Sequence, residues 1–82
     1  MPIFYFHTAD GMSVEAECAN VQAAKCEAAR YAGRIICDEA EKFWETSDFF
    51  LAVSDEHGLM LFTLEAFGHD APALTVSTPN ST

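Results

Sequence analysis

The sequence predicts an α+β domain in which an antiparallel four-stranded sheet is covered by one long helix, in the order ββαββ with a C-terminal tail. Three observations carry that expectation. Two turn signals, Asp10-Gly11 and Asp55-Glu56-His57-Gly58, each separate a pair of β-prone segments. The stretch between the two pairs has helical spacing. A chain of 82 residues holds one domain and no second one.

The first segment, Ile3-Phe4-Tyr5-Phe6-His7-Thr8, is β-branched and aromatic without a breaker, which predicts a strand. Ala9-Asp10-Gly11-Met12 is a tight turn, because Asp and Gly tolerate positive φ. Ser13 to Cys18 alternates polar and apolar side chains as a half-exposed return strand does, so residues 3–18 form a hairpin. Asn20 is placed to cap a helix over 21–43. At about 100° per residue, Val21, Ala24, Ala28, Tyr31, Ala32, Ile35 and Phe43 share one stripe, which is the predicted core face. Phe49 to Ser54 is a nearly unbroken apolar strand, and Leu59 to Phe67 closes a second hairpin around Gly58. These elements set a single domain over 1–68. From Gly68 onward Ala, Pro, Ser, Thr and Asn dominate, which predicts a polar tail over 69–82, with Leu74-Thr75-Val76 as its one strand-like piece.

Thirteen acids against four bases give a net charge of −9. The bases, Lys25, Arg30, Arg34 and Lys42, all lie within residues 25–42, where Glu27, Asp38, Glu39 and Glu41 balance them. The net charge therefore belongs to the rest of the chain, with Glu15, Glu17, Asp48, Asp55 and Glu65 as the candidate acidic surface. Such a surface disfavours direct binding to nucleic acid or anionic membranes, whose phosphates require clustered Lys and Arg. No apolar run approaches the ~18–20 residues of a membrane span. The opening Met1-Pro2-Ile3-Phe4 lacks the basic start of a signal peptide, so a cytoplasmic location is expected. Three cysteines, an odd number, then read as free thiols.

The segments Met1-Pro2-Ile3-Phe4-Tyr5-Phe6-His7, Asp10-Gly11, Ala23-Ala24 through Ala28-Ala29 and Asp55-Glu56-His57-Gly58 carry a resemblance. With them the chain to about Phe67 resembles a family of short uncharacterised alpha-proteobacterial proteins, a domain of unknown function. That family opens with a Met-Pro-x-Tyr-Phe-Phe-His strand and an Asp-Gly turn, followed by an Ala-rich helix and an Asp-Glu-x-Gly hairpin. This sequence departs from the pattern by shortening the second strand. The resemblance implies the fold and brings no activity with it. Element order alone is also similar to that of antitoxins with a ββαβ core.

Candidate chemistry is sparse. His7, His57 and His69 show no His-x-x-x-His spacing and the cysteines no Cys-x-x-Cys, so no metal, cofactor or catalytic residue is assigned. His7 reads as a sheet histidine bonded to a neighbour or to the turn. Cys26 and Cys37 point the same way on the back of the helix but are too far apart to bridge, at about 16 Å along its axis. Cys18 ends the second strand and is expected to be buried. The small residues Ala23, Cys26, Ala29, Gly33 and Ala40 on that back face would admit a close neighbour.

The stronger signal lies in the strands, whose two faces both read as apolar. Phe4 and Phe6 lie opposite Ile3 and Tyr5; Phe49, Leu51 and Val53 lie opposite Phe50 and Ala52; Leu59 and Leu61 lie opposite Met60, Phe62 and Leu64. One helix covers one face, and a contiguous apolar remainder marks an interaction site. The expected function is a small acidic, non-enzymatic interaction domain. It self-associates, as a dimer, or docks on a protein partner through Phe4, Phe6, Phe50, Met60, Phe62 and Leu64. The alternative is an acidic inhibitor imitating nucleic-acid charge, of the antitoxin or anti-CRISPR type, that blocks a basic nucleic-acid-binding protein.

Overall fold

In the computed structural model, residues 1–71 are described. The expected tail from residue 72 onward, including Leu74-Thr75-Val76, lies outside them. Strands β1 (Ile3–Thr8) and β2 (Ser13–Glu17) form the first hairpin, pairing Phe4 with Ala16 and Phe6 with Val14. Gly11 takes the positive φ of 93° that the turn requires. The Asp10 carboxylate closes the same turn, accepting from the Met12 N–H at 3.2 Å and from the Thr8 hydroxyl. Asn20 caps α1 (Val21–Asp38), its side chain accepting the Ala23 N–H at 2.8 Å.

The single helix expected over 21–43 is two helices. α1 ends at Asp38 and α2 runs Ala40–Thr46, so the element order is ββααββ. Glu39 between them leaves helical geometry, at φ −119° and ψ 42°. Glu39 lies eighteen residues after Val21, about five full turns, which puts it at the centre of the stripe facing the sheet. A straight helix would aim its carboxylate at apolar strands, a costly burial. The bend leaves Glu39 exposed and keeps the ladder, with Glu39 N–H to Ile35 O and Phe43 N–H to Glu39 O both at 2.9 Å. It also lets Phe43 reach the core at 9% exposure. Ser47, left-handed at φ 70°, ends α2 and donates its N–H to Phe43 O at 2.7 Å.

Strand β3 (Asp48–Asp55) pairs antiparallel with β1 on one side and with β4 (Met60–Phe67) on the other, giving the strand order β2-β1-β3-β4. The helices therefore cross back over β1 to connect the two hairpins. The core is the seam between α1 and the two central strands: Ala24 and Ala28 are fully buried against Phe4, Phe6, Leu51 and Val53. Alanine at each turn lets the helix axis approach the sheet closely. Tyr31 packs its ring on Phe6, 5.6 Å between centroids, and Lys25 lays its ammonium 5.9 Å from the centre of the Phe62 ring. No helix among the described residues is long and apolar enough to cross a membrane.

The end of β4 is locked to the end of α2. Gly68 donates its N–H to Ser47 O at 3.1 Å and passes beneath the T-shaped pair of Phe43 and Trp44. A Cβ on Gly68 would lie 2.6 Å from Trp44 Cζ3 and 2.9 Å from Phe43 Cε2. Trp44 is the chain's single tryptophan and half of its surface is open to solvent, whereas Phe43 is held in the core. Gly68→Ala is therefore expected to push the indole outward, red-shifting its fluorescence and lowering stability by about 1–3 kcal/mol in urea unfolding. An unchanged emission maximum would contradict this contact.

Candidate functional site

Register decides which strand residues face which way, because directly opposed residues share a face. The helix-covered face holds Phe4, Phe6, Val14, Ala16, Leu51, Val53, Phe62 and Leu64. The other face, left open by the helices, is a grid across four strands. One row is Glu15, Tyr5, Ser54 and Met60, and the next is Ser13, His7, Ala52 and Thr63. Phe50 with Glu65, and Asp48 with Phe67, continue it at the far end of the second hairpin.

The structure divides the six residues expected at an interaction surface between these two faces. Phe4 and Phe6 are buried under α1, and Phe62 and Leu64 are half-buried beside it. Phe50 and Met60 lie on the open face and are exposed. Phe67, at 65% exposure, joins them there. The centre of this face is more polar than alternation suggested. His7 bonds to hydroxyls on both sides, Nδ1 to Ser13 Oγ and Nε2 to Ser54 Oγ, each at 2.8 Å. Ser54 itself is 3% exposed, so the imidazole is what satisfies its hydroxyl. The Tyr5 hydroxyl donates to Glu15 at 3.3 Å. Burial, and then the neighbouring Glu15 charge, push the Tyr5 phenol above its ordinary value.

Of the five candidate acids, Glu15 and Glu17 lie along β2, and Asp48 and Glu65 lie across the sheet on β3 and β4. All four share the open face by register or by strand alternation. Asp55 belongs elsewhere. Its carboxylate accepts the N–H groups of His57 at 2.8 Å and Leu59 at 2.9 Å, closing the β3–β4 turn with Gly58 at φ 86°. Those bonds, led by the one from Leu59, hold its carboxyl below the usual range, and the Thr8 and Met12 bonds do the same for Asp10. The four bases occupy the opposite layer, three on α1 and Lys42 on α2.

The back of α1 leaves Cys26 and Cys37 exposed, while Cys18 is buried and its thiol pushed up by burial and then by Glu27. A cleft of about 480 Å³ opens where the helix bend overhangs the sheet, floored by Tyr31, Ile35, Ile36, Phe43 and Phe49. Asp10, Glu39, Lys42 and Asp48 ring it. His7 lies on the other side of the sheet from this cleft, whose rim carries the bonded pair of Thr8 and Asp10. Among the described residues no group of His, Cys, Asp and Glu converges as metal ligands do.

The sequence profile of a family described as a domain of unknown function, DUF6894, matches residues 3–68. The chain belongs to that family. The DUF6894 match ends where β4 gives way to Gly68, so it spans every strand and helix among the described residues. No curated protein and no solved structure matches the chain. Two residue roles on this DUF6894 domain escaped sequence reading. Ser54 as the partner of His7 depends on the β1–β3 register, which joins residues 47 apart. Phe67 as an exposed aromatic depends on which face α1 covers; its opposition to Asp48 is the available hint.

His7→Ala strands the buried Ser54 hydroxyl and is expected to cost about 1–2 kcal/mol, with Ser54→Ala in the same background costing less than it does alone. Strict additivity in that double-mutant cycle would remove the coupling. The Asp55 carboxyl is more acidic folded than unfolded, so its contribution is present above the ordinary carboxyl value of 3.8 and fades as pH falls through the lower folded value. Asp55→Asn keeps an acceptor and loses the proton, so its urea midpoint should fall less steeply than that of the parent below about pH 4. Parallel curves would contradict the assignment.

Proposed function

We propose that this domain is a small, non-catalytic protein-interaction module that docks through the open face of its sheet. The occupant of that face is a second copy or a basic protein partner, in the cytoplasm of an alpha-proteobacterial host. The observation that carries this reading is the separation of the two layers: Phe50, Met60 and Phe67 stand exposed on a helix-free face among four carboxylates, while every Lys and Arg sits on the helices. An antiparallel sheet that meets only water carries polar residues outward, and exposed aromatics in neighbouring positions favour a partner surface. The carboxylates around them favour a partner of opposite charge and steer its approach.

A second reading, an inhibitor imitating nucleic-acid charge, draws support from Glu15, Glu17, Asp48 and Glu65 sharing one face. The carboxylate-free row of Ser13, His7, Ala52 and Thr63 separates the two acidic pairs, which a continuous phosphate-like track would not contain. A nucleic-acid mimic loses its target steeply with added salt, whereas an aromatic contact is salt-tolerant.

A photo-crosslinking amino acid placed at Met60 and, separately, at Arg34 tests the docking reading in the native host, alongside light scattering of the purified chain. A cross-linked adduct from Met60 and none from Arg34 is expected, with a mass of twice the chain if the occupant is a second copy. Phe50→Glu should abolish the adduct while leaving the circular dichroism unchanged. Adducts from Arg34 alone, or from neither site with a monomer in scattering, would overturn the proposal.

A further inference from the structure

We propose that the corner of the open face formed by Asp48, Phe50, Glu65 and Phe67 is a receptor for an arginine side chain presented by a partner protein. The proposal rests on the docking reading above and names the group docked. Register places Phe50 directly opposite Glu65 and Asp48 directly opposite Phe67. On a twisted antiparallel pair, direct neighbours stand ~4.5–5.5 Å apart at Cβ and diagonal ones ~7–8 Å. The two rings therefore occupy one diagonal of a small rectangle and the two carboxylates the other. These four residues, together with Phe49 between Asp48 and Phe50, line a hollow of about 280 Å³ at the end of the sheet.

Such a checkerboard has one natural complement. A guanidinium is planar, permanently charged and weakly hydrated, so it stacks on a ring face while its edge donates two parallel hydrogen bonds to a carboxylate. An ammonium makes the charge contact but offers no plane to stack. None of the described residues occupies the corner. Among the described residues neither Asp48 nor Glu65 has an ion-pair partner, and the residues beyond them contain no Lys or Arg. Phe67 at 65% exposure and Phe50 at 38% leave ring surface for a ligand to cover.

The test is a two-dimensional NMR titration of the full chain with two capped peptides, Gly-Arg-Gly-Arg-Gly and its lysine counterpart. The expected result is shift changes concentrated at residues 48–50 and 65–67, with the arginine peptide at least tenfold tighter. Glu65→Gln with Asp48→Asn should weaken it about tenfold, and so should Phe67→Leu, which removes the ring and keeps the bulk. Equal affinity for both peptides, shifts spread over Glu27 and Glu45 as well, or indifference to Phe67→Leu would overturn the receptor. Those failures leave the docking reading standing if the Met60 adduct still forms. Loss of that adduct, with arginine binding intact, would reject docking through the whole face and keep the corner.

Discussion

The close approach of α1 to the paired central strands governs the rest of this molecule. Ala24, Ala28 and Ala32 present almost no side chain, so Phe4, Phe6, Leu51 and Val53 pack nearly against helix backbone. Dispersion contacts are short-ranged, and that small separation lets a cluster of seven buried side chains among the described residues serve as the core. The same closeness makes the covered strip narrow. Phe62 and Leu64 on the outer strand β4 are half-covered only, and Lys25 spreads over Phe62 to shield what the helix does not reach.

The bend at Glu39 follows from the same constraint. A helix lying this close to a sheet has no room for a carboxylate on its lower side, so the chain turns and carries Phe43 down and Glu39 out. The bend brings Trp44 and Phe43 over Gly68, and Ser47 then accepts the Gly68 N–H. Through that link the last strand and the second helix end at one corner. The same end of the sheet carries Phe50, Phe67, Asp48 and Glu65, arranged by the β3–β4 register.

Much of this architecture was legible because it is local. Asp10-Gly11 and Asp55 with Gly58 specify turns through their own backbone and side-chain bonds, and Asn20 specifies a helix start three residues away. Alternation separated the two faces of β1 and β3 correctly. On β4 it grouped Met60 with Phe62 and Leu64, but the irregularity opposite Val53 and Ser54 turns Met60 to the open face while the other two stay beside the helix. The bend was missed although its cause was present in the sequence: Glu39 lies on the predicted core stripe, and a stripe drawn through apolar positions alone passes over it. The candidate surface was legible only in part. Phe50 and Met60 face outward, but Phe4 and Phe6 belong to the core, because hydropathy cannot tell a face under a helix from a face without one.

By itself, then, the sequence determined an acidic α+β domain with two hairpins, bases confined to the helical segment, and more apolar strand surface than helices cover. These are properties of residues a few positions apart, governed by turn chemistry, capping and periodicity. The tertiary structure alone decided that β1 and β3 lie side by side at the centre, that His7 satisfies Ser54, and that two rings and two carboxylates meet at one end of the sheet. Those contacts join residues far apart in the chain. Their register is chosen by which apolar set the three alanines of α1 bury, and that choice exists only once the helix is in place.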